Sequence, residues 1–187
     1  MLYDLFNKFL ELSESQRPNY RKSLGKAKEN WSHIIQLTLE VPSLFEVIYS
    51  SVQGTCRGIK DQRLMDFIPG YRLIHIDEIL EEQKILDNLI ANEVERVLAL
   101  PLLVNYSSDY ICWVKIKEEE SCICVLLHDE GELKVMYRTP EKFLETIIEF
   151  YKEEVYFLDK EGYLDYNWEK EGNIGLSLNP SVEYWTL

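Results

Sequence analysis

The 187-residue chain has only three histidines, His33, His75 and His128, and they stand far apart. His128 is followed by Asp129, but adjacent residues on a strand point to opposite faces, and no nucleophile stands beside the pair. The four cysteines, Cys56, Cys112, Cys122 and Cys124, include no CxxC pair. Cys122 and Cys124 share one face if they lie on a strand and could both touch a metal. A structural zinc site asks for a second such pair downstream. The preferred reading is two small apolar side chains in the core. Gly54-Thr55-Cys56-Arg57-Gly58 has neither the lysine nor the spacing of a phosphate-binding loop. The acids between Asp61 and Asp66 do not follow a calcium-loop order. Nucleotide hydrolysis, metal-assisted hydrolysis and acyl transfer therefore find no support, and no catalytic residue, cofactor or metal ligand is assigned.

Positive charge is scarce as well. Twenty Lys and Arg face 33 Asp and Glu, a formal net charge of −13. That balance opposes nucleic acid and anionic lipid, whose recognition depends on Lys and Arg. It favours fast, salt-sensitive encounter with a basic protein, although the same excess also serves solubility alone. The basic run Arg17, Arg21, Lys22, Lys26 and Lys28 is a small counterweight to so much acid. No apolar stretch approaches membrane-spanning length. Met1-Leu2-Tyr3-Asp4 does not open a secretory signal, so the expectation is a reduced, cytoplasmic protein that binds neither membrane nor nucleic acid.

Periodicity supplies the elements. Leu2, Leu5, Phe6, Phe9 and Leu10 predict a short amphipathic helix, and 12–28 reads as a loop or weak helix. Trp31, Ile34, Ile35 and Leu39 predict a second helix ended by Pro42; Ser43 is the expected cap of a third that Gly54 closes. Short strands are expected at 56–59 and 64–67. Pro69-Gly70 is a turn signal, Tyr71 to Ile76 a strand, and Asp77 the cap of a helix running to Ala99 with Ile79, Leu86, Ile90, Val94 and Val97 on one face. Pro101 interrupts, and strands follow at 102–105, 110–117, 122–128 and 133–137, with the third of these apolar on both faces. Leu133, Val135 and Tyr137 alternate with Lys134, Met136 and Arg138. Thr139-Pro140 starts a helix with Phe143, Leu144, Ile147, Ile148 and Tyr151 inward. Beyond Val155 periodicity fades, but the aromatics are too many for a disordered tail, which is expected to lie on the domain with a short strand near 174–178.

The densest of these runs, Asp66-Phe67-Ile68-Pro69-Gly70-Tyr71-Arg72-Leu73-Ile74-His75-Ile76-Asp77-Glu78, resembles the signature segment of the SUKH superfamily, which includes the fungal Smi/Knr regulators, Syd and many bacterial immunity proteins. The resemblance covers roughly 31–151 and extends to the order of later elements, with Tyr49 and Gly54 as the nearest matches upstream. It implies an α+β fold, a mainly antiparallel sheet of about five or six strands flanked by helices. The core of this single domain spans about 31–151, with a helical extension at 1–30 and an aromatic, acidic one at 152–187. Asp66, Pro69, Gly70, Tyr71, Leu73, Ile76 and Glu78 are then structural signature residues. Asn105-Tyr106-Ser107-Ser108-Asp109 departs from the glycine-rich turn of many relatives, so no partner site transfers residue by residue.

The resemblance implies a non-enzymatic module that neutralises a cognate toxin domain, a basic nuclease being one candidate, by stoichiometric binding. The alternative is a Smi/Knr-like regulator or scaffold that binds host proteins. The acidic loops supply the candidate contacts: Tyr106, Asp109 and Tyr110, then Glu118, Glu119 and Glu120, then Asp129 and Glu130, projecting from one end of the sheet. From Asp129 onward fourteen acidic side chains face six basic ones. Tyr163 and Trp168 are further aromatic anchors of the kind that carry interface energy.

Overall fold

The computed structural model describes residues 1–28, 31–90, 98–117 and 120–186. Five strands form one antiparallel sheet in sequence order: β1 (Arg72–Leu73), β2 (Leu98–Val104), β3 (Tyr110–Lys115), β4 (Ser121–Leu126) and β5 (Leu133–Tyr137). Seven α-helices surround it among the described residues, and the fold is α+β, as expected. The register opposes Tyr110 to Leu126 and Tyr137 to Ile123, so the two tyrosines lie on opposite faces. Helix α5 (Ile79–Leu89) covers the Tyr110 face, where Gln83 Nε2 donates to the Ala99 carbonyl at 3.0 Å. Helix α6 (Pro140–Lys152) covers the other, with the Phe143 ring 5.3 Å from that of Tyr137. Covered twice, β4 buries every residue from Cys122 to Leu126.

Helix α1 (Leu2–Gln16) extends a turn and a half beyond the predicted apolar run and packs into the same core. Phe6, Phe9 and Leu10 are wholly buried, and Phe9 meets Phe67 of the signature at 4.3 Å and Tyr151 of α6 at 5.8 Å. Burying three such side chains contributes on the order of 5 kcal/mol or more. Arg17 turns inward over the Tyr20 ring at 3.9 Å and donates to the Asp66 carbonyl and the Tyr151 hydroxyl, tying α1 to the signature. Tyr20–Ser23 is a single helical turn, α2.

Helices α3 (Ser32–Thr38) and α4 (Ser43–Tyr49) follow, with Pro42 rather than Ser43 in the cap position. Gly54 does not end α4, which stops at Tyr49. Its role is close approach: with φ +96°, a Cβ there would stand 2.4 Å from the Ile74 carbonyl oxygen. The strands expected at 56–59 and 64–67 are absent. Thr55 makes one isolated bridge to Ile74, and Gln62–Leu64 is a 3-10 turn capped by Asp61, whose carboxylate draws the local backbone out of extension.

The signature turn forms as predicted, with Gly70 at φ +78° and Asp66 Oδ2 accepting from its N–H. Only Arg72 and Leu73 of the expected strand pair as such. The helix cap is His75, not Asp77: its Nδ1 accepts from the Asp77 N–H at 3.3 Å, opening a 3-10 turn at Ile76–Glu78 that leads into α5. Ile79 and Leu86 face the core as expected, Ile90 packs against it, and Val94 and Val97 lie outside the described residues.

Pro101 lies inside β2 rather than before it. Strand β1 is only two residues long and pairs with Leu103 and Val104, so Pro101 sits where β2 has lost its β1 neighbour, next to an irregularity of register. The alternation in β5 fails because Met136 is a bulge: Ile123 pairs with Tyr137 but Cys124 with Val135. Met136 and Tyr137 are therefore both buried, and Val135 is 42% exposed. The tail folds back as a hairpin, β6 (Tyr156–Leu158) and β7 (Leu164–Tyr166), and then α7 (Trp168–Leu178) stands where a strand was expected. Asn167 caps α7, and Gly175 is required because a Cβ there would meet the Trp185 ring at 2.2 Å.

Candidate functional site

Antiparallel order separates the acidic loops. The β2–β3 turn (105–109) and the β4–β5 loop (127–132) share one end of the sheet, and the β3–β4 turn lies at the other. Asp109, Asp129 and Glu130 are thus brought together with Tyr106, but Glu120 is a strand length away; Glu118 and Glu119 lie outside the described residues. The expectation of a single acidic end does not hold, because consecutive hairpins must alternate ends.

At the first end Tyr106 is 79% exposed. Asp109 is held by Asn105 Nδ2 and by both the backbone N–H and Nδ1 of His128, each at 2.8 Å. Burial alone would raise the Asp109 carboxyl; these hydrogen bonds reverse that and hold it below the ordinary value. His128 lies past the end of β4, so its ring also reaches Asp129, Nε2 to Oδ1 at 3.0 Å. The strand geometry expected to separate the pair does not apply there. Its hydrogen bond to Asp109, then the neighbouring carboxylates, raises the imidazole above its usual range. The ring clamps two loops, and no described nucleophile lies within its hydrogen bonds.

Tyr110 is not a surface anchor. It is 1% exposed, and its hydroxyl donates to Glu82 Oε2 at 2.7 Å. Glu82, itself buried, is the centre of an ion network to which the signature contributes Arg72 and Glu78 and which the exposed Arg57 joins from outside. Arg72 Nη2 meets its Oε1 at 2.8 Å, Arg57 meets the same oxygen, and Arg72 Nη1 pairs with Glu78 Oε2 at 2.8 Å. With both Glu82 oxygens and both Arg72 Nη groups engaged, the network joins β1, α5 and β3. Glu78 of the signature has a structural partner, and so do Asp66 and Gly70.

Along β5 runs an open groove of about 920 Å³. Its apolar floor includes Ile116, Leu133 and Val135, and Glu120, Glu132, Glu141 and Glu183 stand on its walls against Lys134 and Arg138. Val135 lines it on the same face as Leu133, in register with Cys124, and the bulge after it sends Tyr137 to the opposite face. Only Glu120 among its acids was a sequence candidate.

The tail contributes a second arrangement that periodicity did not indicate. Glu171 in the first turns of α7 is pushed up to about 7, and burial is the whole cause. It lies close enough to Tyr166 and Tyr184 to raise the hydroxyl of each, after the larger effect of burial. Tyr166 and Tyr184 in turn neighbour Tyr71, beside the signature turn. Trp168, at the start of α7, is 76% exposed, and Tyr163 is exposed in the β6–β7 turn.

Cys122 and Cys124 do share a face, with Sγ atoms 3.5 Å apart, and the four cysteines form no disulfide. Among the described residues no group of three or more His, Cys, Asp or Glu is placed to hold a metal ion, and no helix is long and apolar enough to cross a membrane. No model of a known protein family matches the chain, and no curated protein matches it.

Proposed function

We propose that this chain is a protein-binding module that captures a basic partner by stoichiometric association and catalyses no reaction. One observation carries the reading: a groove along an edge strand with apolar residues on its floor, walled by four carboxylates and two cations, on a protein of net charge −13. Such a groove suits a partner segment with alternating apolar and basic side chains. The floor supplies desolvated contact, and the walls supply steering and register. The signature segment's resemblance to the SUKH superfamily supports a toxin domain as that partner, the chain acting as its immunity protein.

Co-expression in bacteria with the toxin domain encoded beside this chain tests the proposal. Protection from growth arrest and recovery of a one-to-one complex are expected. Reversing Glu120, Glu132, Glu141 and Glu183 to lysine should abolish both while the variant remains folded. Growth arrest with no complex formed by the wild-type chain would overturn the reading.

A further inference from the structure

Cys122 and Cys124 stand on one face of β4 with Ile123 between them, and their sulfurs are in hydrogen-bond contact at 3.5 Å. Cys122 also lines the groove along β5, which leads small solutes from water to the pair. Cys124 is in register with Val135 of the groove floor. The other two cysteines are placed differently. Cys112 lies opposite Cys124 on β3, wholly buried, and burial raises its thiol. Cys56 lies outside the sheet and is exposed.

The sulfur contact prepares one thiol for reaction. The hydrogen bond from Cys124 holds the Cys122 thiol below its ordinary value, against the opposing effect of burial. The thiolate is the reactive form of cysteine, and a second sulfur in contact is the group that resolves its oxidation. Two steps along a strand separate the Cα atoms by about 6.7 Å, near the upper limit that a disulfide spans. The sulfurs must close to about 2 Å, and β4 must pucker to let them. The ladder is already interrupted at this point, because pairing with β5 slips between Ile123 and Cys124. A bond made under such strain is readily reduced, which suits a reversible bridge better than a permanent staple.

We infer that Cys122 and Cys124 are a redox-active thiol pair that a small peroxide, such as hydrogen peroxide, converts to a disulfide at the groove. The Cys122 thiolate attacks one peroxide oxygen; an S–O bond forms, the O–O bond breaks, and the hydroxide released takes up a proton to leave as water. Cys124 then gives up its proton and attacks the Cys122 sulfur. An S–S bond forms, the S–O bond breaks, and the hydroxyl leaves with that proton as a second water. The thiols lose two electrons in all, and the peroxide is reduced to two waters.

Peroxide treatment of the full chain, then alkylation in denaturant, trypsin digestion and mass spectrometry, tests the pair. Cys122 and Cys124 fall in one tryptic segment, 118–134, and Cys112 in another, 97–115. The expected product is segment 118–134, unalkylated and lighter by two hydrogens. It should form at least about tenfold faster than any oxidation of Cys112, and dithiothreitol should reverse it. In Cys124→Ser the Cys122 sulfenic acid should instead persist and be captured by dimedone. A Cys112–Cys124 bridge joining the two segments would overturn the assignment. So would a wild-type Cys122 that passes to the sulfinic acid while Cys124 stays alkylated, or a pair left fully alkylated by peroxide that oxidises Cys56.

Discussion

The indole nitrogen of Trp185 donates to the carbonyl of Met136 at 2.8 Å, so a residue two from the C-terminus caps the bulge of the edge strand. The bond occupies a backbone acceptor on the outer side of β5 that would otherwise invite another strand. It also explains why α7 carries glycine at 175, where the ring leaves no space for a Cβ. The tail is thus part of the sheet's closure, and it shapes one wall of the groove through Val182, Glu183 and Tyr184.

Trp185→Ala should therefore destabilise the chain by about 3–5 kcal/mol in a denaturant titration, as expected for a buried aromatic truncated to a cavity. Gly175→Ala alone should cost about 1–3 kcal/mol by overpacking. In the Trp185→Ala background it should cost little, and this coupling in a double-mutant cycle is the specific check.

Arg72→Met should cost about 3–5 kcal/mol, because it leaves Glu82 buried with one of its two cations gone. Replacing Arg57, Arg72 and Glu82 together with apolar residues of similar volume should recover much of that loss. Urea midpoints of the single and triple variants measure the difference.

Glu171 gives a pH dependence with a definite sign. Its folded carboxyl titrates near 7 against an ordinary value of 4.5, so between those values the folded state holds more protons than the unfolded. Stability should then fall as pH rises from about 4.5 to about 7. Glu171→Gln removes that share of the decline and should be more stable than wild type above pH 7, as thermal melts across this window would show.

Much of this was legible in the chain. Pro69-Gly70, Thr139-Pro140 and the doubly apolar β4 were predicted in place because each follows from local chemistry: a positive φ, a hydroxyl cap, burial on both faces. The errors share a cause. His75, whose Nε2 lies 3.1 Å from Oε1 of Gln53, rather than Asp77 caps the turn before α5, Pro101 lies within β2, and Met136 shifts the alternation of β5; in each case a partner distant in sequence or an unpaired stretch of neighbouring strand decides the outcome. Tyr110 looked like a surface aromatic because its partner Glu82 lies 28 residues away. The groove and Glu171 were hidden for the same reason, being assembled from β5, the β3–β4 turn and the tail.

Tyr106, Asp129 and Glu130 stand on exposed loops, and Tyr106→Ala with Asp129→Asn and Glu130→Gln should change stability by no more than about 0.5 kcal/mol. If the groove rather than the loop end contacts the partner, this triple variant should also keep its affinity within about threefold, read by calorimetry with the partner recovered by co-expression.

The central claim is that the acidic groove captures a basic protein, and the association rate tests it most directly. Stopped-flow mixing of the chain with the basic partner recovered by co-expression, at about 50 mM and about 500 mM salt, compares weak with strong screening. The account predicts an association rate at least about tenfold slower at the higher salt for the wild type, and a slow, nearly salt-independent rate when Glu120, Glu132, Glu141 and Glu183 are reversed. A wild-type rate that does not change with salt, or a charge-reversed groove that associates as fast as the wild type, would contradict it.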